Sequence, residues 1–410
     1  MERVIVVGGG LAGVRAVEAL RSKGYEGALT LVSAERHPPY DRPPLSKAVL
    51  KGESDDTTVD ADWAALRCDL LLGERATALR LDEPGRGGTV ASTAGDLPFD
   101  GLVIATGAAP ITLPGDGRQH VLRTIDDARE LRSRLTGGAR IVIVGAGWIG
   151  AEVATTAAAR GCAVTVVEAA DTPLAGALGP EVGALTAPWY AEAGVELRTG
   201  VKVAEVRDGG LVLAGGDRID ADEVVVGVGV RPVLAWLEGS GLLLERGVVT
   251  DASFRVHRGR SGGSGEEPGP PRPDVVAVGD CAAWWSERYG RRLLVEHWDT
   301  ALNAPEVAAA TLLGEEAVYD AAPYFWSEQF GRMVQYAGHH AGSERMVHRG
   351  DPSGRTWAVA WLTGDRLDAV LTVGRPRDLV QARRVIAAGT PVDPGAIADP
   401  GVPVRQAVRR

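Results

Sequence analysis

The chain has 410 residues, 45% of them hydrophobic and 24% charged, with a formal net charge of -10. That balance describes a globular protein and excludes a disordered or fibrous one, while the length predicts two or three domains and the acidic total argues against general nucleic-acid affinity. No stretch reaches the roughly 18 apolar residues of a spanning helix, and the first strand starts at Arg3 without a charged leader, so a cytoplasmic protein with no membrane segment is expected.

Residues 4–7, Val-Ile-Val-Val, predict a buried strand. The turn Gly8-Gly9-Gly10-Leu11-Ala12-Gly13 and an Ala-rich helical run follow, then a second apolar strand over 29–32 and Glu35. Residues 102–104 predict a short strand ending in Ala105-Thr106-Gly107. The first pattern then repeats: a strand over 141–144, the turn Gly145-Ala146-Gly147-Trp148-Ile149-Gly150, a helix, a strand over 164–167 and Glu168. A strand at 224–226 ends in a turn containing Gly229. The Gly-, Pro-, Ser- and Arg-rich run 258–273 reads as a surface loop. A strand over 275–278 should return the chain to the first lobe, with Asp280 after it at a helix N-terminus, where an N-cap role would suit it. From about Ala321 the βαβ rhythm stops and tryptophan becomes more frequent. The expected domains are 1–110 with 238–320, 111–237, and 321–410. After Ile386 the pattern carries little, and Arg405, Arg409 and Arg410 read as a frayed basic tail.

A lone G-x-G-x-x-G is weak evidence, but here both copies follow a strand, open a helix and precede an acidic residue at the distance that reads a ribose. The glycines let backbone N–H groups approach a pyrophosphate, and the helix dipole favours its charge. Glu35 and Glu168 would accept ribose hydroxyls; the plainer alternative for each is a solvated residue after a strand. Two dinucleotides in one chain are best explained by FAD beside a nicotinamide, because protein side chains cannot store the electrons. The only cysteines, Cys68, Cys162 and Cys281, form no C-x-x-C pair, so no redox dithiol is indicated and all are expected as buried small hydrophobes.

Residues 35–47, Glu-Arg-His-Pro-Pro-Tyr-Asp-Arg-Pro-Pro-Leu-Ser-Lys, resemble the segment after the second strand in FAD-dependent NADH:ferredoxin reductases, the rubredoxin and putidaredoxin reductase family. Further blocks at 105–107, 145–152, 278–281, 295–298 and 323–329 agree. The resemblance implies an α/β fold: two Rossmann-like dinucleotide-binding domains in a glutathione-reductase-like arrangement and a smaller α+β C-terminal domain. It implies FAD and NADH as cofactors, no metal, and a ferredoxin-type iron–sulfur protein as the electron acceptor, itself feeding a cytochrome monooxygenase or a ring-hydroxylating dioxygenase. A monomer or weak homodimer is expected.

By the same resemblance Arg42 pairs with the FAD phosphates, Lys47 lies beside the flavin ring with Glu152 facing it as an ion pair, and Asp280 holds the ribityl chain. Glu296, His297 and Trp298 belong to the segment near the pyrimidine end of the flavin, and Trp326 to the block near its other edge. Arg123 joins the cofactor-binding set with Gly8, Gly10, Leu11, Ala12, Gly13, Ala105, Thr106 and Gly107, while Gly145, Gly147, Trp148, Ile149, Gly150 and Gly229 serve the second nucleotide. The same scaffold also carries disulfide reductases, NADH oxidases and peroxidases, and apoptosis-inducing-factor-like NADH-responsive proteins. Absence of a dithiol weighs against the first of these.

Overall fold

The structure is a computed structural model and is described over residues 1–259 and 268–409. The chain forms two compact units: Met1–Asp41, Thr58–Ala109 and Arg231–Pro323 make one, and Arg42–Thr57, Pro110–Val230 and Tyr324–Arg410 the other.

The first unit is built on a nine-stranded sheet. Its parallel part runs, side by side, through Cys68–Leu72, Ala28–Ser33, Arg3–Val7, Gly101–Ile104 and Pro271–Ala277. The strand Arg3–Val7 is fully buried from Val4 onward, as its unbroken β-branched run requires of a strand covered on both faces. Strand order reverses at Arg3–Val7 and Gly101–Ile104, the place where open α/β sheets receive ligands. The helix Leu11–Ser22 covers one face, burying Ala12, Ala16, Val17 and Leu20 in a cluster with Ala304, Ala308 and Leu312 of the helix Trp298–Leu312. Full burial of side chains such as Val17 and Leu20 stabilises by about 1.5–3 kcal/mol each.

The second unit repeats the design with a four-stranded parallel sheet: Glu196–Arg198, Ala163–Val167, Arg140–Val144, Glu223–Val226. It also holds a five-stranded antiparallel sheet of Tyr324–Gln329, Arg332–Gly338, Arg366–Val373, Trp357–Thr363 and Arg345–Arg349, in that order. Tyr336, Trp357 and Trp361 of this sheet share a core with Leu174, Val182 and Trp189. The helix Pro376–Ala388 packs on the sheet with Leu379, Ala382, Val385 and Ile386 buried. The α/β fold with an α+β C-terminal part is as the sequence predicts.

Two expectations are corrected. The run 258–273 is not loop throughout, because the strand Pro271–Ala277 starts inside it; residues 260–267 lie outside the described residues. Arg272 is buried there, yet it is tolerated because its guanidinium pairs with Asp274 at 2.6 Å and donates to the carbonyls of Asp82 and Gly87. The C-terminal residues do not fray either. Asp393 caps the short helix Pro394–Ala398, Arg409 reaches Asp365 at 3.6 Å and Asp393 at 3.5 Å, and buried Arg349 donates to the carbonyls of Ile397 and Val402. Arg410 lies outside the described residues. Among the described residues no helix is long and apolar enough to cross a membrane.

Candidate dinucleotide and redox sites

In the first unit the turn after Arg3–Val7 sits against the neighbouring strand end. Gly8 has φ +126°, and a Cβ there would fall 2.0 Å from the Ala105 carbonyl oxygen. A Cβ on Gly13 would fall 1.9 Å from the Gly8 oxygen, so both positions require glycine for packing. Gly10 differs, because among the described residues nothing beyond its own chain neighbours lies within 4 Å of its absent Cβ. It is the N-cap of Leu11–Ser22, which has neither a side-chain cap nor an acidic residue in its first turn. An uncapped helix start beside open space is the cradle a pyrophosphate fills, so these residues fit a dinucleotide.

Around that turn, Glu35 accepts from the Tyr40 hydroxyl, Thr106 Oγ1 donates to the Val233 carbonyl at 3.0 Å, and Gly107 accepts from Val233 N–H. Gly279 packs with its absent Cβ 3.0 Å from Ala12 Cβ, which brings the Gly279-Asp280 turn beside the first glycine motif. Asp280 stands in the first turn of a helix, as expected, but the N-cap position suggested for it is taken by Val278. The helix is the one-turn 3-10 helix Gly279–Cys281, which leads into the strand Ala282–Ser286, and no side chain caps it. His297 occupies the N-cap position of Trp298–Leu312 after Glu296, and Trp298 Nε1 donates to Asp41 Oδ1 at 2.7 Å. Asp41 was not among the expected site residues.

The second unit holds the equivalent turn. A Cβ on Gly145 would meet the Gly227 oxygen at 2.4 Å and one on Gly150 the Gly145 oxygen at 2.0 Å, whereas Gly147 has only the Gly227 oxygen at 4.0 Å. Gly147 is the uncapped N-cap of Trp148–Ala159, again with no acidic residue in the first turn. Ile149 and Val228 are exposed large hydrophobics here, Gly229 has φ +110°, and Trp148 packs edge-on against Phe325 at 4.6 Å. Glu168 Oε2 accepts from Ala146 N–H at 2.7 Å and Oε1 from Ala170 N–H at 2.8 Å. These residues fit a second dinucleotide.

The same unit brings Lys47 and Glu152 together: Lys47 Nζ lies 2.7 Å from Glu152 Oε2, with the side chains 16% and 4% exposed. Glu152 also accepts from Ser46 and Ser327 hydroxyls and, at 3.3 Å, from Glu328 N–H. Arg42 donates to the Arg123 carbonyl, joining those two residues. Trp326 stacks on Tyr324 at 6.1 Å. Sequence reading did not single out Ser46 or Ser327 for a role; both stand inside the recognised blocks, and that neighbourhood was the available signal.

All three thiols are unpaired. Cys281 is buried, but Cys68 and Cys162 are only partly so, which corrects the expectation for those two. Desolvation pushes the Cys68 and Cys281 thiols up to about 11 and raises that of Cys162. Each is therefore a poor thiolate source at neutral pH. No cluster among the described residues could hold a metal ion.

Comparison with known proteins agrees with this geometry. The model of the pyridine nucleotide-disulphide oxidoreductase family matches residues 2–304, and that of the reductase C-terminal family matches residues 324–408. Rhodocoxin reductase of Rhodococcus erythropolis is 34% identical, with 99% of this chain and 94% of that protein covered. The ferredoxin–NAD(+) reductase component of the anthranilate 1,2-dioxygenase system of Burkholderia cepacia is 36% identical, with 97% of each covered. Among solved structures, Fdr9 is similar with a TM-score of 0.90 at 48% identity, covering 98% of this chain and 99% of that one. The covalent putidaredoxin reductase–putidaredoxin complex gives 0.90 at 33% identity, covering 99% and 98%. This chain belongs to the FAD-dependent NADH:ferredoxin reductase family of the pyridine nucleotide-disulphide oxidoreductases.

Proposed function

We propose that this protein accepts a hydride from NADH and passes electrons singly to a ferredoxin-type iron–sulfur protein that feeds an oxygenase. The observation that carries the reading is the pair of open glycine turns at Gly10 and Gly147, two dinucleotide cradles in a chain whose thiols are all unpaired. Bound FAD supplies the exchange between hydride and single-electron transfer that side chains cannot perform.

The residues then divide the work. Gly10, Leu11 and Ala12 present backbone N–H groups to the FAD pyrophosphate, Glu35 takes the ribose, Arg42 pairs with phosphate and Asp280 holds the ribityl chain. Gly147, Trp148 and Ile149 receive NADH, with Glu168 on its ribose. Lys47, fixed by Glu152, supplies positive charge that stabilises the negative charge arriving with the hydride. Glu296, His297, Trp298 and Trp326 shape the flavin surroundings. The relative named for the anthranilate 1,2-dioxygenase system supports an oxygenase as the final destination. Steady-state assay with NADH and a [2Fe–2S] ferredoxin tests the proposal: each NADH consumed should reduce a pair of ferredoxins, and NADH consumption that leaves ferredoxin oxidised would refute it.

A further inference from the structure

We propose that Ser327 is a positioning residue for hydride acceptance, one that fixes the Glu152 carboxylate so that it in turn fixes Lys47. The inference rests on the proposed role of Lys47. Glu152, Thr155 and Thr156 follow one another along one side of the helix Trp148–Ala159. The two oxygens of Glu152 are shared out between different segments. Oε2 takes the Ser46 hydroxyl and, at 2.7 Å, Lys47 Nζ. Oε1 takes Ser327 Oγ at 2.6 Å and Glu328 N–H at 3.3 Å, both from the strand Tyr324–Gln329.

Ser327 is buried, and its oxygen accepts from Gln329 Nε2 at 3.1 Å. Its single hydrogen is thereby left for Glu152, which as a carboxylate can only accept. Without that hydroxyl, Oε1 keeps one long contact, and the terminal torsion of a glutamate is soft, so the carboxylate can turn and the ammonium on its other oxygen moves with it. Because the pair is largely desolvated, its field is steep and a small displacement of Lys47 matters.

The Ser327→Ala variant should fold, since it gives up only the contacts to Glu152 and Gln329 and two neighbouring clamps do not involve Ser327. Phe330 N–H still donates to Thr155 Oγ1 at 2.9 Å, and Thr156 Oγ1 to the Ser46 carbonyl at 3.2 Å. The experiment is anaerobic stopped-flow reduction of the FAD-loaded protein by NADH, for Ser327→Ala, Ser327→Thr, Lys47→Ala, Glu152→Gln and the Ser327→Ala/Glu152→Gln double variant. Ser327→Ala should slow the limiting reduction rate about tenfold, the lower end of losing a hydrogen bond to a charged group, with NADH affinity changed less than about twofold. Ser327→Thr should recover most of the rate. In the Glu152→Gln background the serine substitution should cost less than about twofold, because it acts through that carboxylate. An unchanged rate in Ser327→Ala beside a slowed Lys47→Ala, or full additivity in the double variant, would overturn the positioning role alone. Unchanged rates in both single variants would overturn the Lys47 reading with it.

Discussion

Glu168 Oε2 accepts the backbone N–H of Ala146 at 2.7 Å, so the carboxylate at the end of the strand Ala163–Val167 is anchored to the second glycine turn itself. Ala170 N–H holds the other oxygen at 2.8 Å. The negative charge therefore has a fixed place, and the residues after it, Ala169-Ala170-Asp171, include no arginine to neutralise a phosphate.

NADH should accordingly be preferred over NADPH. A ribose 2′-phosphate would lose hydrogen bonds to a charged acceptor, about 1.5–3 kcal/mol, and meet like charge in addition, so kcat/KM should differ by roughly tenfold to a hundredfold. Glu168→Ala combined with Ala169→Arg should narrow or invert the ratio. An NADPH value within about threefold of NADH in the wild type would mean that Glu168 does not read the ribose.

Glycine substitutions should separate fold from cofactor. Gly10→Ala meets nothing among the described residues within 4 Å beyond its own chain neighbours and has φ -83°, so stability should change by less than about 1 kcal/mol while FAD is lost. Gly13→Ala drives a methyl to 1.9 Å from the Gly8 oxygen and should destabilise by about 1–3 kcal/mol or more. Thermal melts beside flavin absorbance check both, and full FAD retention in Gly10→Ala would contradict the cradle.

Much of this was legible in sequence for a steric reason. Gly8, Gly13, Gly145 and Gly150 are demanded by backbone oxygens within 2.4 Å of their absent Cβ atoms, so the demand leaves a local spacing that survives in the sequence. The grip on Glu152 leaves no such trace, because Ser46 and Ser327 come to it from segments far apart in the chain. The N-cap role of Asp280 was misread because a strand followed by Gly-Asp suits an N-cap and a 3-10 turn equally. The start of Pro271–Ala277 was hidden by composition: Pro-Arg-Pro resembles a loop unless Asp274 is known to neutralise Arg272. The C-terminal residues looked frayed because their anchor, Arg349, lies in a different element.

Lys47→Ala should impair flavin reduction more than NADH binding. Removing the ammonium leaves Glu152 buried without its cation, at a cost on the order of 3 kcal/mol, the low end for a broken buried pair because Lys47 is partly exposed. Rapid reduction kinetics against NADH concentration separates the two, and a rise in apparent Kd at an unchanged limiting rate would contradict the assignment.

Thiol chemistry should be dispensable. With Cys68 and Cys281 raised to about 11 by burial and Cys162 raised as well, the neutral thiol dominates at pH 8. Iodoacetamide at that pH should leave ferredoxin reduction intact, as should Cys68→Ser with Cys162→Ser. Inactivation that tracks modification of one thiol would point to a cysteine-based peroxidase or disulfide reductase instead.

Anaerobic stopped-flow with two successive mixes is the most direct test of the central claim. NADH should bleach the flavin of the FAD-loaded protein, and a [2Fe–2S] ferredoxin added next should restore the oxidised flavin spectrum as its own cluster is reduced. A flavin that stays bleached across a panel of ferredoxins, yet is reoxidised rapidly by dioxygen with release of peroxide, would contradict the account and identify an NADH oxidase.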